Sequence, residues 1–215
     1  MDTEKKYTAI SVIVLAGGRS SRIGLGKDKG YLKFRGTILI KRVILNILSL
    51  EGITEQDIII VGPRDRFPQY KLTVEDIYPQ KGPLGGIFSG LQYSKTFYNL
   101  VIGYDMPFIE KRLVEYMIEN MEGYDIVIPT HGKELFEPLC AIYSKNCLKI
   151  IKQNLKKGTL AIRDIFPFLK IRRITEMEIR RCDPELHSFF NINFQGDFIE
   201  AEKLEIDRRK KNVNK

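Results

Sequence analysis

Several groups of residues in this chain have types and spacings that could do chemistry. In LAGGRSSRIGLGKDK, residues 15–29, an apolar run breaks at Gly17 and Gly18 and gives way to Arg19, Arg22, Lys27 and Lys29. Glycines let a backbone come close and cations neutralise phosphate. At the carboxyl end of a strand such a loop reads as a phosphate site, with a connecting loop of solvated charges as the alternative. Asp105 follows another apolar run and precedes Pro107, which cannot continue a ladder, so its carboxylate sits at a strand end where a hard cation could be held. Glu75 and Asp76 stand before Tyr78-Pro79 and the stretch GPLGGIFSGL, and read as a second functional edge or as a polar turn. Far down the chain, FFNIN carries the pair Asn191 and Asn193.

Other phosphate and nucleophile motifs are excluded by inspection. Gly26-Lys27 is followed by Asp28 with no glycine five positions earlier, so there is no Walker A loop. Gly17 and Gly18 are adjacent, which rules out GxGxxG, and no GxSxG elbow occurs. His131 and His187 lie far apart without an HExxH or cysteine-rich neighbourhood, so no zinc site is expected and each histidine reads as solvated. Cys140, Cys147 and Cys182 have no CxxC spacing and lie in or beside apolar stretches, as buried free thiols of a reducing compartment do.

The elements that must position these groups alternate between strand and helix. Residues 8–15, 57–61, 72–74, 99–103 and 126–128 read as buried strands, and 137–143 as a strand packing on the same sheet. Between them, apolar residues recur at helical spacing over 38–50 and again through Leu113, Val114, Met117, Ile118 and Met121. Glycines at 85, 86 and 90 allow either a ligand or a sheet to approach the helix that starts there. Ser144 is the expected N-cap of a helix over 148–155 that stops at Lys156-Lys157-Gly158. Thr159 is expected to start a short helix ended by Pro167, residues 171–174 a strand, and Phe198, Ala201 and Leu204 a last helix, while 176–185 is ambiguous. The expected fold is α/β: a single Rossmann-like, doubly wound, mostly parallel sheet with helices on both faces.

A chain of 215 residues can bury one core of this kind. We expect one domain over 1–207 and a basic, flexible tail over 208–215. The net charge of +8 comes largely from that tail and from a group at Lys170, Arg172, Arg173, Arg180 and Arg181, neither of which interleaves with a nucleic-acid motif. No apolar run approaches the roughly 18 residues of a membrane helix, and the start MDTEKK has no signal-peptide core behind it. The expectation is a cytoplasmic protein with no nucleic-acid or membrane partner.

The motifs LAGGRSSRIG with Asp28-Lys29, GPLGG, DMPFI, FEPLCAIY and FFNIN, in that order, resemble those of the molybdenum cofactor guanylyltransferases, the MobA group of the nucleotide-diphospho-sugar transferase-like nucleotidyltransferases. The resemblance extends up to the basic tail. It implies transfer of GMP from GTP to the terminal phosphate of molybdopterin carrying molybdenum, with release of pyrophosphate. It further implies that Leu15, Ala16, Gly17 and Gly18 meet the nucleotide, and that Arg22 and Lys29 hold the triphosphate and stabilise the departing pyrophosphate. Asp105 would bind Mg²⁺, and Asp76, with Glu75 as its neighbour in register, would contact the nucleotide. Asn191 and Asn193 would lie near the metal or the acceptor pterin, and the product could pass by transient docking to a molybdoenzyme or its chaperone. The chain departs from the family in a longer gap between Gly24 and Asp28, in Phe194-Gln195 for the usual Thr-Pro, and in Gly62-Pro63-Arg64 where some members have a base-contacting Asn. LAGG rather than LAAG favours GTP over CTP. A sugar-phosphate nucleotidyltransferase, a cytidylyltransferase acting on molybdopterin, or a non-catalytic nucleotide-binding protein are the alternatives.

Overall fold

The computed structural model describes residues 10–17, 33–34, 36–70 and 72–213. Its first strand, β1 (Ile10–Leu15), is buried along its whole length. Because side chains alternate on a strand, Ile10, Val12 and Val14 enter one apolar layer while Ile13 and Leu15 enter another. The rest of the chain supplies the two covers. β2 (Lys33–Phe34) and β3 (Thr37–Ile38) form a small antiparallel ribbon leading into α1 (Leu39–Leu48). After β4 (Ile58–Val61) and β5 (Thr73–Val74) come α2 (Gly82–Tyr93), β6 (Tyr98–Gly103) and α3 (Lys111–Glu119). Then follow β7 (Ile126–His131), β8 (Leu135–Phe136), β9 (Cys140–Ser144) and α4 (Cys147–Lys157). The chain continues through β10 (Ile171–Ile174) and α5 (Glu176–Cys182) to α6 (Gln195–Val213).

The strand order is β10-β7-β9-β6-β1-β4-β5, with β8 paired to β7. β1 runs parallel to β4 and β6, β4 to β5, and β7 to β10, whereas β9 is antiparallel to both β6 and β7. Apolar residues of α1, α3 and α5 pack on one face and those of α2 and α4 on the other, the doubly wound arrangement expected. A third cluster, Phe34, Leu39, Phe108, Ile192 and Ala201, joins the ribbon and α6 to the segment after β6.

Several local expectations are corrected. Ser144 is fully buried as the last residue of β9, where its amide donates to Asp125 O at 2.7 Å, and the N-cap of α4 is Asn146. Pro167 lies inside the 3₁₀ turn Ile162–Phe168 rather than ending it, because the looser hydrogen bonding of such a turn tolerates the missing N–H. The ambiguous stretch is helical from Glu176, with Thr175 and Glu178 forming a reciprocal capping box. Cys140 and Cys147 are buried, but Cys182 is only half-buried. Burial pushes the Cys147 thiol up to about 12.

The boundary expected at 207/208 falls inside α6. Arg208 pairs with Glu110 at 2.6 Å, donates to Phe108 O at 3.1 Å and lies over the Phe108 ring. Burial raises the Glu110 carboxyl pKa, and Arg208 opposes that rise. Arg42 on α1 pairs with Glu205 and covers Phe34, so both ends of this contact clasp α6 to the domain.

Candidate active site

The parallel strands β1, β4, β5 and β6 end at one edge of the sheet, where an α/β fold binds its ligands. Leu15 ends β1, and the chain continues through buried Ala16, whose amide donates to Val61 O at 2.8 Å, to exposed Gly17. Gly18, Arg22, Lys27, Asp28 and Lys29 lie outside the described residues. Gly62, after β4, would carry a Cβ only 3.2 Å from the Ala16 backbone, so a glycine there lets the two strand ends lie close.

At the end of β5 the structure separates Glu75 from Asp76. Glu75 is exposed, whereas Asp76 Oδ1 accepts from Tyr78 N at 2.9 Å and from Ser89 Oγ at 2.8 Å. Ser89 also receives the Ile77 amide at 2.8 Å, so a serine on α2 ties down the loop that carries Asp76. A Cβ on Gly85 would lie 2.8 Å from Tyr78 O and 3.2 Å from Asp76 Oδ2. Gly86 and Gly90 answer the other half of the question their motif posed. A Cβ there would meet Leu15 Cδ2 at 3.1 Å and Ile13 Cγ2 at 2.4 Å, so these two glycines serve helix–sheet packing, and Gly85 serves the loop.

Asp105 follows β6, and Gly103 is what lets it fold back: a Cβ at 103 would sit 2.7 Å from Asp105 Oδ1. With β1 and β4 between them, the ends of β5 and β6 are three inter-strand steps, about 14 Å, apart. That span suits one nucleotide with its base at one end and its phosphates at the other.

The FFNIN segment reaches this edge from the opposite side. Ile192 is fully buried in the third cluster and its amide donates to Asp105 O at 3.0 Å, which sets Asn191 and Asn193 on either side of the residue bonded to Asp105. Asn191 Nδ2 donates to Phe189 O at 3.2 Å, leaving its Oδ1 as an oxygen donor. Asn193 is exposed, and its amide donates to Asp197 Oδ2 at 2.6 Å. Among the described residues no group of three or more His, Cys, Asp and Glu could hold a metal alone. The Asp105 carboxylate and the carboxamide oxygens of the segment bonded to it through Ile192 are the kind of donors a hard cation takes when it completes its shell with substrate oxygens.

Sequence reasoning missed one part of this edge. His131, taken for a solvated loop histidine, ends β7. Its Nε2 meets Glu137 Oε1 at 2.8 Å and its ring stacks on Phe189 at 4.9 Å and 11°. Burial raises the Glu137 carboxyl pKa, and the His131 contact partly offsets it. The signal was the EPL of FEPLCAIY, but only an antiparallel β9 delivers Glu137 to the edge where the parallel strands end.

The MobA-like NTP transferase domain model matches residues 12–171, which include the LAGG loop, Asp76, GPLGG, Asp105 and Glu137. This chain belongs to that family. It is a nucleotidyltransferase. The molybdenum cofactor guanylyltransferase of Desulfosudis oleivorans is 34% identical over 90% of this chain and 95% of its own length. A probable molybdenum cofactor guanylyltransferase of Clostridium perfringens strain SM101 is 37% identical over 85% of this chain and 91% of its own. In fold, the chain is similar to the molybdopterin-guanine dinucleotide biosynthesis protein A of Archaeoglobus fulgidus, with a TM-score of 0.77 and 24% identity over 92% of this chain and 99% of that one. The family model stops before residue 189, so the Asn191–Asn193 segment lies outside that match. Among the described residues no helix is long and apolar enough to cross a membrane.

Proposed function

We propose that the chain is a molybdenum cofactor guanylyltransferase, transferring GMP from GTP to the phosphate of molybdenum-bearing molybdopterin and releasing pyrophosphate. The observation that carries this reading is the place of Asp105 on the sheet edge. It has the β1-β4-β5 strand ends on one side and, bonded to its own carbonyl through Ile192, the Asn191 segment on the other. A transferase needs such a divided edge, with a donor half and an acceptor half meeting where the phosphoryl group passes.

The acceptor's phosphomonoester is mostly dianionic at neutral pH, its second pKa being about 6, so one of its oxygens can attack the α-phosphorus without a dedicated base. The new O–P bond forms as the bond from the α-phosphorus to the bridging oxygen of the β-phosphate breaks, and that oxygen leaves on pyrophosphate. The protein's task is positioning and charge neutralisation. Leu15 to Gly18 would bring backbone to the nucleotide, Asp76 would meet its base end, and Lys29 with Arg22 would hold the triphosphate and the departing pyrophosphate. Mg²⁺ held by Asp105, with Asn191 Oδ1 a candidate second donor, would neutralise the phosphate charge. Guanine offers N1–H and an exocyclic amine, and Asp76 Oδ2, which no bond above uses, is an acceptor for them. Free thiols at Cys140, Cys147 and Cys182 are consistent with a cytoplasmic site of action, where the product would pass to a molybdoenzyme or its chaperone by transient docking.

Pyrophosphate release tests this directly, with GTP or CTP against molybdenum-bearing molybdopterin and against sugar 1-phosphates. GTP with molybdopterin is the expected pair. Turnover with sugar phosphate alone, or with CTP in place of GTP, would overturn the assignment.

A further inference from the structure

The His131–Glu137 pair is polar and largely enclosed, its side chains only 17% and 16% exposed, yet the chemistry above makes no use of it. The two residues lie diagonally across the β7–β8 hairpin, in which His131 pairs with Leu135. What the pair touches is the acceptor segment. His131 stacks on Phe189, the Phe189 carbonyl receives the Asn191 carboxamide at 3.2 Å, and one residue after Asn191 the Ile192 amide reaches Asp105 O at 3.0 Å. The segment is therefore held at two points, with Asn191 between them.

The first of those points depends on the imidazole. The ring plane must lie parallel to Phe189, within 11°, and Glu137 is the group that sets its rotation by bonding Nε2. Glu137 is itself fixed by backbone bonds, its amide donating to Pro129 O at 3.1 Å and its carbonyl receiving Cys140 N at 3.0 Å. Gly132, next to His131, donates to Glu176 Oε2 at 2.8 Å, which pins the turn from the other side. A relay thus runs from the β7 and β9 ends to the amide of Asn191. On the strand order this corner lies beyond β6 from the nucleotide half, two inter-strand steps or about 10 Å away.

We propose that His131 and Glu137 are positioning residues for the acceptor half of the site: the oriented imidazole holds Phe189, and Phe189 keeps Asn191 on the acceptor side of Asp105. This rests on the reading of Asn191 given under the proposed function. Its signature is asymmetric, because the pair is on one side of Asp105 only.

The test is steady-state kinetics of GMP transfer on the full chain, varying molybdenum-bearing molybdopterin and GTP in turn, with GTP affinity measured by calorimetry in magnesium. His131→Leu and Glu137→Leu should raise the acceptor KM about tenfold, equivalent to about 1.4 kcal/mol, and leave the GTP KM within about twofold. Glu137→Gln keeps an acceptor for Nε2–H and should restore the parent acceptor KM within about twofold. If His131→Leu fails to fold, His131→Phe retains a stacking ring without the Glu137 bond and, with Glu137→Gln, decides the matter. An unchanged acceptor KM in a folded variant, or an equal rise in both KM values, overturns the inference while the parent enzyme stays active. A parent chain with no GMP transfer at all takes down the proposed function, and this inference with it.

Discussion

Gly85 offers the most direct test of how the sheet edge is built. An alanine there places Cβ 2.8 Å from the Tyr78 carbonyl oxygen and 3.2 Å from Asp76 Oδ2. The nearest atom is backbone and cannot swing aside. Overpacking of this kind costs about 1–3 kcal/mol, and the helical preference of Ala over Gly returns up to about 1 kcal/mol. The net expectation is a loss of about 1–2 kcal/mol, or about 3–6 °C in Tm for a chain of this size. The strain falls on the loop bearing Asp76, so the GTP KM should rise severalfold while the acceptor KM holds. Gly196→Ala is the internal control, because nothing lies within 4 Å of its Cβ position on α6, and it should gain up to about 1 kcal/mol. Thermal unfolding by circular dichroism and steady-state kinetics read both. A Gly85→Ala protein as stable as the parent, with an unmoved GTP KM, would refute the claim that α2 holds this loop by close approach.

Asp105→Ala should abolish magnesium-dependent turnover while leaving Tm within a few degrees; near-parental activity in magnesium would mean the metal is held elsewhere. Lys29→Ala should cost about two to three orders of magnitude in kcat, as loss of a transition-state donor does. If Lys27→Ala proves the more damaging change, the register of the cationic loop is the other one. Glu178 has a pH signature: against the opposing cost of burial, hydrogen bonds from Arg172, Thr175 and Tyr116 bring its carboxyl down to about 2. A folded-state pKa below the unfolded value gives stability that is present above about pH 4.5 and is lost as pH falls toward 2. Glu178→Gln should therefore cost about 1 kcal/mol at neutral pH, a figure kept low by solvent screening, and the gap to the parent should close between pH 4.5 and 2 in urea titrations.

Much of this molecule was legible in its sequence, for reasons that are local. The uninterrupted run of β1 had to be buried on both faces, and the helical spacing of Ile40, Val43, Ile44 and Ile47 had to form one apolar stripe, so an α/β sheet followed from periodicity alone. Asp105 stood out because Pro107 limits where its strand can run. Other features depended on contacts between distant segments. Periodicity does not reveal strand direction, so the antiparallel run of β9, and with it the arrival of Glu137 beside His131, was decided only by the pairing with β6 and β7. The different settings of Glu75 and Asp76 were likewise a matter of a serine thirteen residues away on α2, which bonds Asp76. FFNIN gained its place through one backbone bond, from Ile192 to Asp105, between segments that no sequence period connects. Sequence named the chemistry because side-chain types and local spacing carry it. Tertiary structure set which segments share the sheet edge because strand order and direction are properties of the packed sheet.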